Sequence, residues 1–180
     1  MKDFQVICGV KERGDLSVKK LNVELQKIFN PNEKPFIERH GYCYKVGDKI
    51  IQNGNNYYDE VFNGTLGYIV DIEPSLNEIY IQFEDKDELV CYKGDDIDQI
   101  ELAYAITCHR SQGSTIPIVL FVFDYSSYTL LSRQFVYTGI TRASKGCIML
   151  CEHRALRYAI RTDHSGKRNT FLKDMLMESR

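Results

Sequence analysis

Two stretches of this chain gather the side chains that hold anions. Residues 102–115, Leu-Ala-Tyr-Ala-Ile-Thr-Cys-His-Arg-Ser-Gln-Gly-Ser-Thr, pass from apolar residues into hydroxyl, imidazole, guanidinium and amide groups. Residues 137–145, Tyr-Thr-Gly-Ile-Thr-Arg-Ala-Ser-Lys, do the same on a smaller scale. A core strand has no use for such a cluster. A phosphate site at a strand's carboxyl end does, because backbone N–H groups, hydroxyls and a fixed arginine together hold an anion there. Both clusters are therefore expected at strand carboxyl ends.

The other parts of a nucleotide site are missing. No G-x-x-x-x-G-K-[ST] phosphate loop occurs, and the Gly166-Lys167 pair is followed by Arg168 and has Arg161 where the leading glycine belongs. Asp87-Glu88-Leu89-Val90 mimics an acidic metal box, but it follows Glu84-Asp85-Lys86 instead of an apolar strand and reads as a solvated hairpin. The chain carries half of a phosphate site and no metal site.

The elements that must position these clusters are of two kinds. Phe4–Cys8 reads as a buried strand, and Val18, Leu21, Leu25 and Ile28 set a helical spacing from Ser17 to Phe29, capped by Asp15 or Ser17 and ended by Asn30-Pro31. From Tyr42 to Gln99 the period shortens. Strand-like segments at 46–51, 66–70, 78–83 and 88–92, separated by turns, suggest a small barrel whose Tyr68, Tyr80, Phe83 and Tyr92 are mainly core. Helix and strand then alternate again: strand 102–107, a short helix from His109 to Gly113, strand 117–123, helix 132–143, strand 146–151 and helix 153–160, before a polar tail and a last short helix. The expectation is an α/β domain formed by residues 1–41 and 100–180, with residues 42–99 as a linking strand, loop and barrel insert.

Composition narrows the class. With 43% apolar residues in 180, one ordinary core is possible and disorder is not expected. No apolar run approaches the roughly 20 residues of a membrane span, and the start has no signal-peptide core, so a cytoplasmic protein with no membrane partner is expected. Cys8, Cys43, Cys91, Cys108, Cys147 and Cys151 form no C-x-x-C pair and read as buried or free thiols, with no metal. Charge is divided unevenly. Residues 1–32 carry a net +2, residues 33–101 a net −10 and residues 102–180 a net +6. A nucleic-acid footprint belongs to the C-terminal segment, and the isolated chain should bind DNA poorly.

Four blocks resemble superfamily 1 DNA helicases of the RecD-like branch. Residues 106–115 look like helicase motif V and residues 137–143 like motif VI. Residues 12–22 with 25–31 resemble the motif IV region, and residues 46–57 with 62–67 resemble the segment before that branch's inserted SH3-like barrel. The resemblance implies the second RecA-like domain of the motor, a P-loop-NTPase-type parallel sheet interrupted by a small SH3-like β-barrel. By the resemblance, Arg142 is the arginine finger set against the γ-phosphate, where its planar fork stabilises charge developing in phosphoryl transfer. Arg13 matches the motif IV arginine and implies a second phosphate contact. Gln112 and Gly113 would line the nucleotide side of the cleft, Gly113 by letting backbone approach closely. Thr107, His109 and Ser111 suit the DNA backbone, which hydroxyl and imidazole donors bind without reading sequence. Asn55, Asn56 and Tyr57 could reach the single strand, Tyr57 by stacking on a base, or could simply form a hairpin turn. Thr115 stands where related helicases carry a glutamate for the ribose, which leaves ribose recognition open.

Three functions compete at this point. The first is the C-terminal motor domain of an ATP-dependent 5′-to-3′ DNA helicase. It would act on single-stranded DNA, with ATP and Mg²⁺ bound only together with an N-terminal RecA-like domain, and with recombination or repair subunits as further partners. The second is a stand-alone remnant that binds nucleic acid or protein without catalysis. The third, a nuclease or repair subunit, has no carboxylate cluster in an apolar setting to support it.

Overall fold

The computed structural model describes residues 3–12, 14–31 and 33–163. Arg13, the Gly166-Lys167 pair and the expected last helix lie outside them. The chain opens with strand β1 (Phe4–Cys8) and helix α1 (Val18–Phe29). It continues through β2 (Phe36–Arg39), β3 (Tyr42–Lys45), β4 (Lys49–Gln52), β5 (Leu66–Glu73), β6 (Glu78–Phe83) and β7 (Leu89–Lys93) to a 3₁₀ turn, Gly94–Gln99. Then follow β8 (Ile100–Leu102), β9 (Ala105–Thr107), β10 (Ile116–Phe123), α2 (Arg133–Ile140), β11 (Ala143–Cys151) and α3 (His153–Arg161).

Two main sheets result. One is parallel throughout, in the order β11-β10-β1-β9. The other is antiparallel, in the order β7-β6-β5-β4-β8, and a β2-β3 hairpin stands beside it. The expected strand over 102–107 is thus two strands. Leu102 pairs with Ile50 in the antiparallel sheet and Ala105 pairs with Val6 in the parallel one, with Ala103 and Tyr104 buried between them.

Helices lie on both faces of the parallel sheet, but Ile118 of β10 and Ile148 and Leu150 of β11 stay 41%, 61% and 62% exposed. On one face Val6, Ala105 and Val122 meet Leu21 and Leu25 of α1. On the other, Phe121, Phe123 and Phe135 pack with ring centroids 4.9 to 5.6 Å apart, and Ala155 and Ala159 of α3 are buried against the same cluster. The antiparallel insert has its own core, built on Ile50, Ile69, Ile79, Ile81, Phe83 and Tyr92. Phe83 and Tyr92 are core as expected, whereas Tyr68 and Tyr80 are only half-buried.

Helix α1 departs from its apolar reading. Ile28 is 68% exposed, and the inward positions next to Leu21 and Leu25 are Asn22 and Gln26. The reason is the hinge beneath the helix. Asn22 donates to the Leu102 and Ala105 carbonyls and accepts from the Ala105 N–H (2.8, 3.1 and 2.8 Å), so it satisfies backbone where the chain leaves one sheet for the other. Gln26 and Asn30 both donate to Asp48, which is fully buried and also accepts from the Tyr104 hydroxyl and the Lys45 N–H. Asp48 thereby ties α1, the β3–β4 turn and the hinge together. Ser17 is the N-cap, yet its hydroxyl is buried without a partner; the Val10 and Lys11 carbonyls take the first helical N–H groups instead (2.9 and 3.1 Å). Asp15 pairs with Lys20 and caps nothing.

Candidate nucleotide and nucleic-acid site

The loop from Cys108 to Thr115 does not form the expected helix. It is a run of turns in which Ser111 N–H donates to Thr107, Gln112 N–H to His109 and Ser114 N–H to Ser111 (3.1, 3.2 and 3.2 Å). Gly113, at φ +87°, then turns the chain toward β10 and stops any helix. A Cβ there would meet nothing within 4 Å, so its conformation, and not a close approach, calls for glycine. Register shows where the loop goes. Thr107 lies level with Cys8 and Val122, at the carboxyl ends of the strands, while Ile116 opens β10 at the other end. The loop therefore runs along the domain from one end of the sheet to the other.

That path corrects the expected position of the second cluster. Helix α2 returns from the carboxyl end of β10, so Arg142 arrives at the amino ends of β10 and β11, where its carbonyl accepts from Ile116 N–H at 2.9 Å. The helix stops at Ile140, short of the expected 143, because pairing with β10 already begins at Ala143. Arg142 Nη1 donates to the Ser114 carbonyl at 3.2 Å and Nε to the Thr138 carbonyl at 3.3 Å. The guanidinium is thus held at the end of the Cys108–Thr115 loop with polar N–H groups to spare. Under it, Gly139 faces the Phe121 ring so closely that a Cβ would lie 2.5 Å from it. Burial pushes the Cys108 thiol up to about 11, the Arg142 charge opposing, so this cysteine is a neutral thiol and no nucleophile.

The other expected ligand groups divide into free and committed ones. Gln112 and His109 are exposed, and Thr107 is half-buried, its Oγ1 accepting from the Arg110 N–H at 3.2 Å. Ser111 is fully buried, and its hydroxyl donates to the Cys108 carbonyl at 2.8 Å. In the β4–β5 loop, Asn56 Oδ1 accepts from the N–H groups of Tyr58 and Asp59, and Asn55 Oδ1 accepts from that of Asn63. These amides shape the loop. They leave Tyr57 and Tyr58, 76% and 95% exposed, at its surface, with the Tyr57 hydroxyl accepting from Asn55 Nδ2 at 3.2 Å.

Two groups escaped the sequence reading. Arg110 leaves the Cys108–Thr115 loop sideways to meet Glu101 at 2.8 Å and the Asn53 side-chain oxygen. Lys49 is buried with its ammonium on Gln5 Oε1 at 2.8 Å and no carboxylate among the described residues in contact, and burial holds its pKa below the usual lysine value. It lines a cavity of about 220 Å³ shared with Gln5, Glu84, Ser114 and Thr115. Both lie inside blocks that resemble the family, but neither was given a role there, and pairing of Arg110 with Asn53 (57 positions away) and of Lys49 with Gln5 (44 positions away) leaves no trace in local spacing. Among the described residues no three His, Cys, Asp or Glu side chains gather as a metal site.

A parallel sheet with helices on both faces gives the fold class, a RecA-like α/β domain. Residues 102–150 match the UvrD-like helicase C-terminal domain, and residues 21–83 match the SH3 domain of ATP-dependent RecD-like DNA helicases. The chain belongs to the RecD-like helicases, as a C-terminal portion. It is 37% identical over 139 residues to the ATP-dependent RecD2 DNA helicase of Deinococcus radiodurans, a match covering 77% of this chain and 19% of that protein. It is 29% identical over 151 residues to RecBCD enzyme subunit RecD of Buchnera aphidicola, covering 80% of this chain and 24% of that one. The chain thus spans only about a fifth of the length of these relatives. Among solved structures, a study of DNA unwinding at forked DNA by two Pif1 helicases aligns with a TM-score of 0.61 at 14% identity, over 99% of this chain and 44% of that one. Pif1 from Bacteroides in complex with ADP-AlF3 and ssDNA aligns at 0.58 and 16%, over 97% and 44%. These show the shared fold. No helix among the described residues is long and apolar enough to cross a membrane.

Proposed function

We propose that this chain is the responding half of an ATP-driven DNA motor. It supplies an arginine finger, Arg142, to ATP held with Mg²⁺ by an N-terminal RecA-like domain bearing the phosphate loop, and part of the single-stranded DNA track. The observation that carries the proposal is the seat of Arg142. It is fixed by two backbone carbonyls at the end of the loop whose other end presents Thr107 and His109. Gln112, Gly113 and, in the motif IV turn, Arg13 complete the nucleotide side. Thr107, His109 and Tyr57 take the single strand, while Ser111, Asn55 and Asn56 act on it through the turns that they hold.

In this reading the domain body is residues 1–41 and 100–180, the insert is residues 42–99, and the β8–β4 pairing carries the insert's return to Leu102. When ATP draws the two RecA-like domains together, Arg142 reaches the γ-phosphate and stabilises the charge that spreads over it as the bond breaks. Hydrolysis releases that contact and lets the Cys108–Thr115 loop change its hold on DNA. Recombination or repair subunits would be further partners; one relative is named as a subunit of the RecBCD enzyme, which supports a multi-subunit setting. Purified chain alone is expected to show no ATP turnover, and the full-length polypeptide to hydrolyse ATP in response to single-stranded DNA and to unwind a tailed duplex. Full-length protein that binds DNA without turnover would favour a binding remnant and defeat the proposal.

A further inference from the structure

We propose that Arg110, with Glu101, is a positioning residue that holds three ligand-facing loops in one register, so that the nucleotide side and the DNA side move together. The inference rests on the motor reading above. Glu101, at the centre of β8, is only 18% exposed in its side chain and receives two cations from different parts of the chain. Lys11, from the β1–α1 loop, sits 2.7 Å from Oε1, and Arg110, from the Cys108–Thr115 loop, sits 2.8 Å from Oε2. The second arm of the Arg110 guanidinium donates to the side-chain oxygen of Asn53, where the β4–β5 loop begins. One carboxylate and one planar fork thus join the loop carrying the motif IV segment, the loop carrying Thr107, His109 and Gln112, and the loop carrying Tyr57.

The chemistry favours positioning over a direct grip on DNA. Arg110 neighbours His109, yet its side chain is 28% exposed and turned into the insert, with both arms occupied by protein acceptors. Burial pushes the Glu101 carboxyl up, but the hydrogen bonds from Lys11 and Asn53 and the charges of Arg110 and Lys11 outweigh it and hold it below its ordinary value. The acid is therefore ionised whenever the motor works. A guanidinium that bridges two acceptors cannot be replaced by an ammonium, which lacks the fork. Motion of the Cys108–Thr115 loop must then drag Asn53, and with it the exposed Tyr57 and Tyr58, or break the bridge.

The test compares Arg110→Ala, Arg110→Lys and Glu101→Gln in the full-length protein, with oligo-dT as probe. The readout is the oligo-dT concentration giving half-maximal stimulation of ATP hydrolysis. If Arg110 positions the loops, all three variants raise that concentration at least about fivefold. If Arg110 instead binds phosphate directly, Glu101→Gln frees it and lowers that concentration, and Arg110→Lys stays near wild type; either result overturns the inference. So does an unchanged concentration in Arg110→Ala. Glu101→Gln is nearly isosteric, so the test survives should Arg110→Ala fail to fold. Wild-type protein lacking any DNA-stimulated turnover would instead overturn the motor reading beneath it.

Discussion

Arg142 donates from Nη1 to the main-chain carbonyl of Ser114 at 3.2 Å, joining the end of one polar cluster to the end of the other. The two residues are 28 positions apart in sequence and meet because α2 runs back along β10 and returns the chain to its amino end. Their meeting is the structural basis for reading them as one site. It also makes the site dependent on how closely α2 can approach the sheet.

Gly139 sets that approach. An alanine Cβ there would lie 2.5 Å from the Phe121 ring, itself wedged against Phe123 and Phe135. Alanine contributes up to about 1 kcal/mol in helix propensity, but overpacking a filled core costs about 1–3 kcal/mol. A ring buried on all sides cannot yield, so overpacking wins. Gly139→Ala is expected to lower the melting temperature by several degrees, measured by circular dichroism. An unchanged or raised value would show that α2 has slack.

Acid should weaken the joint between the sheets. Glu101 has its carboxyl pKa lowered in the folded protein from 4.5, so as pH falls the unfolded chain takes up the proton first. Its contribution is complete above 4.5 and is lost as pH drops through the lowered folded value. In thermal melts between about pH 6 and 3, wild type should lose more stability than Glu101→Gln. Parallel losses in the two proteins would remove Glu101 from that account.

The β4–β5 loop separates grip from shape. Tyr57→Ala should cost about 1–3 kcal/mol of oligo-dT affinity in the full-length protein by loss of stacking, without moving its melting temperature. Asn56→Ala removes the acceptor for the Tyr58 and Asp59 N–H groups and should lower the melting temperature as well. Equal affinities for Tyr57→Ala and wild type would take that loop off the track.

Much of this was legible in sequence because it is local. The strand at Phe4–Cys8 and the apolar strand expected over Pro117–Phe123 follow from period and composition, although Ile118, 41% exposed, shows that the second is not buried on both faces throughout. What could not be read was decided by partners distant in sequence. Asn22 and Gln26 lie outside the apolar spacing that defines α1, yet they are buried because the hinge at Ala103–Tyr104 and Asp48 need hydrogen bonds. His109–Gly113 looked helical, yet a left-handed Gly113 and the buried Ser111 hydroxyl make it a chain of turns. Arg142 was found by its neighbours in sequence, but its place at the amino ends of the strands depends on the direction of α2. Arg110 was passed over because its partners, Glu101 and Asn53, lie in another sheet and another loop.

The most direct test of the account is ATP turnover by full-length Arg142→Ala. An arginine that meets charge only as the γ-phosphate transfers contributes to rate far more than to binding. The account predicts that kcat falls by about 10³–10⁵ while ATP affinity stays within about tenfold. An unchanged kcat would contradict it.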